Sequence, residues 1–381
     1  MRVTLEEMKI NTEIVFFYLY YAGRSIDLKK VAKIIPANPD IGIIKNKRDT
    51  PASLTLPTPL IVQLTRHEGE DGTPFDYITM NARIFEDGVI SMIVRVKGDF
   101  SPKDLHKIRT TPFVLDEEET FIDSWVETSF KRFFDKIKET VTSEQYVFSK
   151  FVRETYTAFC ITTPLINPGE FVHSHRRTLA CLLNGESPDT DLHESQITAT
   201  LKDSFCYTDH DYALFDLDRC LIIDPYLDYE DILLVIEQAN LQLLELRALD
   251  MLLDRWLDKA EDDIKIIFKN NTARLKMLKV KLASIQALSF DALFILENLE
   301  NSSKIIGDYF LGQTFKNLCE QFNTEGWKRS IERRLATLGS VYDRVNVNAS
   351  ERRMVFLEIM FIVVCIIFPV LQIIQTFFLA K

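Results

Sequence analysis

The stretch E358-IMFIVVCIIFPVLQIIQTFFLA-K381 sets the expected architecture: Glu358 is followed by 22 uncharged residues, Ile359 to Ala380, and then by Lys381. As a helix this run covers roughly 33 Å, against a hydrocarbon core of about 30 Å. It predicts a C-terminal transmembrane helix over 354–381. The preceding flank carries seven basic residues (Lys328, Arg329, Arg333, Arg334, Arg344, Arg352, Arg353) against four acidic ones between Glu325 and Arg353. Lys- and Arg-rich flanks stay on the cytoplasmic side, so the expectation is a single-pass, tail-anchored membrane protein, N-in, with the bulk of the chain cytoplasmic. Lys328, Arg329, Arg333, Arg334, Arg352 and Arg353 are the membrane-proximal basic residues expected to meet anionic lipid headgroups.

The rest of the composition narrows the class. A chain of 381 residues with 46% hydrophobic and 27% charged residues has room for two or three modest domains around real cores. Its formal charge of −11 argues against a general nucleic-acid grip, which wants a basic face. Glu6, Glu7 and Lys9 interrupt any apolar run at the start, which predicts no signal peptide. The six cysteines form no CxxC and read as reduced, buried thiols.

Residues 1–225 read as an α+β domain. Ile14 to Tyr21 (IVFFYLYY) is a β-branched and aromatic run stopped by Gly23, and Leu28, Val31, Ile34 and Ile35 follow at helical spacing. Residues 36 to 59, with five prolines, read as a surface loop. Leu60 to Leu64, Phe75 to Phe85 and Val89 to Val96 are expected to form a meander, with Glu86-Asp87-Gly88 as a turn. Ser101-Pro102-Lys103-Asp104-Leu105 carries an N-cap and a proline at the first helical position, so a second strand–helix unit is expected there, and Thr155 to Thr162 starts a third. Phe121, Trp125, Phe130, Phe133, Phe134, Ile137 and Val141 mark an amphipathic helix between them. Strand–helix units mixed with hairpins suggest ferredoxin-like packing. Short strands near Phe205, Ala213 and Cys220 close the domain before Asp224-Pro225.

Residues 226–353 read as a helical stalk or bundle. Ile236, Ala239, Leu243, Leu246, Leu253, Leu257, Ala260, Ile264 and Ile267 follow a coiled-coil heptad that Asp250 interrupts, and further leucines widen the stripe toward a multi-helix bundle. Asp250 is expected to set register or to line an oligomer axis, while Glu237, Gln238, Asn240, Gln242, Glu245 and Arg247 read as a solvated face or interhelical partners. A second helical segment is expected at 275–299, a third from Ser303, and a fourth from Trp327 to Val341. In the apolar run, Pro369 predicts a kink, and Gln372 and Gln375, three apart, a face for helix association.

Sequence signatures of catalysis are absent. No GxxxxGK[ST], GxGxxG or GxSxG occurs. His173 and His175 are two residues apart and point away from each other on a helix, and Asp209, His210, Asp211, Asp216 and Asp218 read first as turn and strand-end residues. The expectation is no catalytic residue, no metal site and no cofactor.

The segment GDYFLGQTFKNLCEQFNTEGWKRSIERRLATLGSVYDRVNVNASERRMVFLEIMFIVVCII resembles the Rmd1/Sif2 (DUF155) proteins, with Arg353, Leu357 and Glu358 as the matching pre-membrane motif and 237–254 resembling that family's first long helix. The resemblance covers about the last 150 residues as pattern. It implies a membrane-associated protein without an established enzymatic activity. The layout is also similar to CorA-type magnesium transporters, although those carry two spans with a Gly-Met-Asn loop between them and this sequence carries one run and no such tripeptide. The function expected is a non-enzymatic, self-associating scaffold at a membrane surface, with membrane lipids and copies of itself as partners. The alternatives are an ion-conducting or ion-sensing homo-oligomer and a carboxylate-dependent metalloenzyme around Asp209 to Asp218.

Overall fold

The computed structural model describes residues 9–35, 59–69, 75–115, 118–142, 151–164, 167–269, 289–290, 292–293, 296–297 and 308–379. The strands are β1 (Ile10–Tyr21), β2 (Ser25–Ile26), β3 (Leu60–Glu68), β4 (Tyr77–Ile84), β5 (Val89–Phe100), β6 (Phe113–Leu115), β7 (Glu118–Thr120), β8 (Val141–Thr142), β9 (Arg153–Ile161), β10 (Ser204–Phe205), β11 (Tyr212–Phe215) and β12 (Arg219–Ile223). The helices are α1 (Leu28–Ile34), α2 (Ile122–Ile137), α3 (Pro168–Ser174), α4 (Arg176–Asn184), α5 (Glu194–Thr200), α6 (Glu230–Lys269), α7 (Tyr309–Gln321) and α8 (Thr324–Leu379). By contact density the chain divides into Met1–Ala248 with Asn298–Trp327, and Leu249–Glu297 with Lys328–Lys381.

The first unit is built on one eight-stranded sheet, ordered β10-β11-β12-β9-β1-β5-β4-β3. β1 sits inside it and pairs antiparallel with β5 along its whole length, from Ile10 opposite Phe100 to Tyr21 opposite Val89, and antiparallel with β9 on its other edge. Burial on both faces explains why IVFFYLYY shows no polar alternation. Ile14, Phe16, Tyr18 and Tyr20 point to one face, where α1, α2, α3 and α4 contribute Val31, Val126, Phe130, Val172, Leu179 and Leu182. Val15, Phe17 and Leu19 point to the other, under Ile232, Leu233, Ile236, Ala239 and Leu243 of α6 and Leu311, Phe315 and Leu318 of α7. The α2 stripe Ile122, Val126, Phe130, Phe133, Ile137 is buried at helical spacing, and Phe130 stacks on Tyr20 with ring centroids 3.7 Å apart.

The α+β class and the β3-β4-β5 meander match expectation, whereas the ferredoxin-like repeat does not. A split βαβ unit needs parallel partners across its helix; here β5 and β9, the strands assigned to the second and third repeats, flank β1 and both run antiparallel to it. The second repeat also lacks its helix. Ser101 Oγ accepts from the Asp104 N–H at 3.2 Å, but only a 3-10 turn, Asp104–His106, follows, and the residue at its N-cap is Lys103, which makes no side-chain cap bond. Pro112 biases Thr111 toward extended backbone and closes the segment. The proline-rich 36–59 segment lies almost entirely outside the described residues, as does most of the predicted 275–299 helix.

In the second unit the correction is larger. Ile359 to Leu379 does not form an element of its own: it is the distal part of α8, a 56-residue helix that starts at Thr324 and carries the charged segment Glu325 to Arg353 in the same rod. Among the described residues no helix is long and apolar enough to cross a membrane. That overturns the C-terminal transmembrane anchor, and with it the single-pass, tail-anchored, N-in placement and the cytoplasmic location inferred from it. A hydropathy reading takes the local run alone; the structure joins it to the polar helix that precedes it.

Candidate functional site

Three features of the described residues bring charged side chains together. The first is an ionic seam between the sheet and α6. Arg95 of β5 donates to both carboxylate oxygens of Glu230, at 2.6 and 2.7 Å, and its Nη1 lies 3.5 Å from Glu13 Oε2 of β1. The Tyr229 hydroxyl donates to the same Glu13 oxygen at 2.7 Å. Farther along α6, Arg83 of β4 pairs with Glu237, and Arg247 donates to Glu154 of β9 at 2.6 Å while its guanidinium sits over the Trp327 ring. Burial alone would lower Arg95, but Glu230 and Glu13 more than reverse this and hold its protonated form far above the ordinary range. The polar residues of α6 are therefore not a solvated face: Glu237, Gln238, Asn240 and Gln242 are all buried, Asn240 donating to the Ile236 carbonyl at 2.9 Å. Sequence reading missed Arg83, Arg95, Glu13 and Glu154, because each lies on a strand far from its partner in the chain.

The second feature is an acidic cleft of about 390 Å³, lined among others by Asp211, Asp224, Asp228, Asp231 and Asp308. Several of its carboxylates build local backbone structure. Asp211 accepts from the Tyr207 N–H at 2.7 Å, Asp224 from the Tyr226 and Asp228 N–H groups at 2.8 Å, and Asp308 caps α7 by accepting from Leu311 N–H at 2.9 Å. Among the described residues no group of three His, Cys, Asp or Glu side chains converges on a metal-sized site.

The third is a basic cleft of about 470 Å³ over the opposite sheet face from α6. Phe16, Thr157 and Phe159 form its floor, the 103–110 segment one wall, and the Gly185 to Asp189 turn after α4 the other. Tyr18, beside the floor, donates to Asp123 Oδ1 at 2.5 Å, and Arg109 grips the same carboxylate through Nε, at 3.2 Å to each oxygen, and Nη2 at 3.1 Å. Burial raises Asp123, but the Tyr18 hydroxyl and the Arg109 guanidinium more than reverse this and hold it below the usual carboxylate range. Arg219, the first residue of β12, donates from Nη1 to the Leu182 carbonyl at 2.9 Å, and its nearest recorded carboxylate, Asp218, is 3.7 Å away. Burial pulls Arg219 down and Arg109 adds to that, with Asp218 opposing. Burial also lowers His106, with hydrogen bonds to the Glu186 and Thr178 backbone opposing, and its Nε2 is buried without a partner among the described residues.

The residues singled out from sequence are distributed along α8. Lys328, Arg329, Arg333 and Arg334 occupy its first turns, and Arg352 and Arg353 follow farther on. Arg334 pairs with Asp254 and lies 3.3 Å from Asp250, so the interrupted heptad position finds an internal ionic partner. Leu357, Glu358, Pro369 and Gln372 are exposed, Pro369 lies inside the helix, and the Gln375 side chain lies outside the described residues. His173 is exposed, whereas His175 is buried, its Nδ1 2.9 Å from the Phe171 carbonyl oxygen.

Comparison with known proteins places the first unit. The family described as "Uncharacterized protein MJ0711, N-terminal domain" matches residues 11–230, from the second residue of β1 to the first residue of α6. The Uncharacterized protein MJ0711 of Methanocaldococcus jannaschii is 24% identical over 273 residues, which are 71% of this chain and 74% of that protein. No solved structure matches. With more than half of its length matched, the chain belongs to the MJ0711 N-terminal domain family.

Proposed function

We propose that this protein is a non-enzymatic, self-associating scaffold, assembled through the distal part of α8. One observation carries the reading. Met354, Val355, Leu357, Ile359 to Val364, Ile366 to Phe368 and Leu371 each keep about half or more of their surface exposed. Together they present apolar area on the order of 1,000 Å², where a typical monomer's largest apolar patch is about 300–600 Å². Helix-on-helix packing against further copies would cover that surface, and the hydrophobic gain scales with the area removed from water. In the charged first half of α8, Arg334 pairs with Asp250 and Asp254 of α6.

Light scattering of the full chain, beside a version ending at Ser350, tests the proposal. The full chain is expected at a defined multiple of 44.2 kDa and the shortened one as a monomer. A monomeric full chain would remove the scaffold. An oligomer that survives the cut would refute assembly through the distal part of α8 and move the contact to residues before Glu351.

A further inference from the structure

We propose that the basic cleft beside Arg219 binds a small phosphate-bearing molecule with an apolar or planar body. The site is independent of assembly through α8. Four observations converge on it. Lys103, Lys107, Arg109 and Arg219 outnumber Glu186 and Asp189 on the lining. Arg219 is largely buried, with its side chain 20% exposed, and among the described residues it has, besides its bond to the Leu182 carbonyl, only a loose ion pair with Asp218, at 3.7 Å. A largely buried guanidinium held only by a loose ion pair gains from a closer counter-charge, which a ligand oxyanion would supply in the bidentate geometry arginine favours.

The third observation is His106. It lines the cleft, and its Nε2 is buried without a hydrogen-bond partner among the described residues. The fourth is Gly185, the residue that ends α4 in the left-handed region at φ +74°. A Cβ there would fall 2.8 Å from Arg219 Nη2, so glycine both satisfies the turn and leaves room for the guanidinium. Phe16, Phe159, Leu105 and Ile108 add the apolar surface against which the body of the ligand packs. Arg109 keeps the wall in place rather than supplying the decisive charge, because Asp123 already holds it.

Calorimetric titration of the full chain with AMP and with inorganic phosphate, at ionic strength held constant with chloride, tests the proposal. Both probes are expected to bind, AMP more tightly. Arg219→Gln should weaken AMP at least roughly tenfold, the loss of one charge-assisted pair. Because Arg219 also donates to Leu182, Lys107→Gln on the exposed rim serves as a second variant, with an expected loss of roughly threefold. Absence of heat with both probes, or affinities unchanged in both variants, would overturn the site. Neither result depends on the oligomer mass, so failure here and failure of the scaffold are separable.

Discussion

Replacing Arg95 by methionine should loosen the start of α6 by a predictable amount. Arg95 holds two groups: Glu230, whose side chain is 43% exposed, and Glu13, whose side chain is 7% exposed. Water can re-solvate Glu230, so its two hydrogen bonds contribute only about 1 kcal/mol. Glu13 cannot reach water and would keep the Tyr229 hydroxyl alone, which at a buried site costs about 2 kcal/mol. Methionine fills most of the space of the arginine stem, so little cavity penalty is added. The expected loss is about 3 kcal/mol, or amide exchange roughly 150-fold faster if the first turns of α6 open locally. Hydrogen exchange at Leu233 to Asn240 reads this directly. Adding Glu13→Gln removes the stranded charge and should recover about two-thirds of the deficit. Exchange in Arg95→Met within a factor of about three of the parent, or a double variant no better than the single one, would show that α6 is held by its apolar contacts alone.

Two further perturbations follow from the same geometry. The partly buried Glu245 carboxyl on α6 is pushed up to about 8 by burial, with Asp87 adding to it, from an ordinary 4.5. Its folded form binds a proton that the unfolded chain releases, so the stability it contributes is fully present below the ordinary value and is lost as pH rises toward 8. Glu245→Gln should flatten the dependence of Tm on pH between those values and stabilise the protein by about 2 kcal/mol at high pH, after discounting for partial exposure; an unchanged slope would refute the assignment. Gly88, in the turn before β5 at φ +84°, has no room for a side chain, since a Cβ would lie 1.8 Å from the Gly23 carbonyl oxygen. Gly88→Ala should cost at least about 3 kcal/mol by denaturant titration, and a loss below about 1 kcal/mol would mean that the 22–24 segment yields easily.

What the sequence reveals depends on how local the cause is. β1 is legible because burial on both faces leaves an unbroken apolar run, and α2 because its stripe repeats every three or four residues. The ionic seam is not legible: Arg95 and Glu230 are 135 residues apart, and Arg83 and Glu237 154 apart. Polar residues between the heptad positions on α6 look solvated until β4, β5 and β9 are placed beneath them. The distal part of α8 fails for the opposite reason, since a window of 22 residues carries no information about the helix to which it is joined.

The basic cleft depends on the sheet's parallel pairing, and that is why no motif announces it. β12 runs parallel to β9, with Arg219 opposite Thr157, while each of the other paired strands in the eight-stranded sheet runs antiparallel to its neighbours. Parallel neighbours require a long crossover, and the one between β9 and β12 carries α3, α4 and α5 together with the Gly185 to Asp189 turn that walls the cleft. Alternation along β12 then fixes its chemistry: Leu221 and Ile223 enter the core on the Phe16 side, Cys220 and Ile222 the core under α6, and Arg219 keeps the parity of Leu221. A slip of one residue would exchange the two sets and carry the guanidinium under α6, away from Thr157 and Phe159. The apolar residues that hold β12 in register therefore also aim the arginine, and loss of ligand binding through a Leu221→Ala variant that keeps Arg219 would be the signature of that coupling.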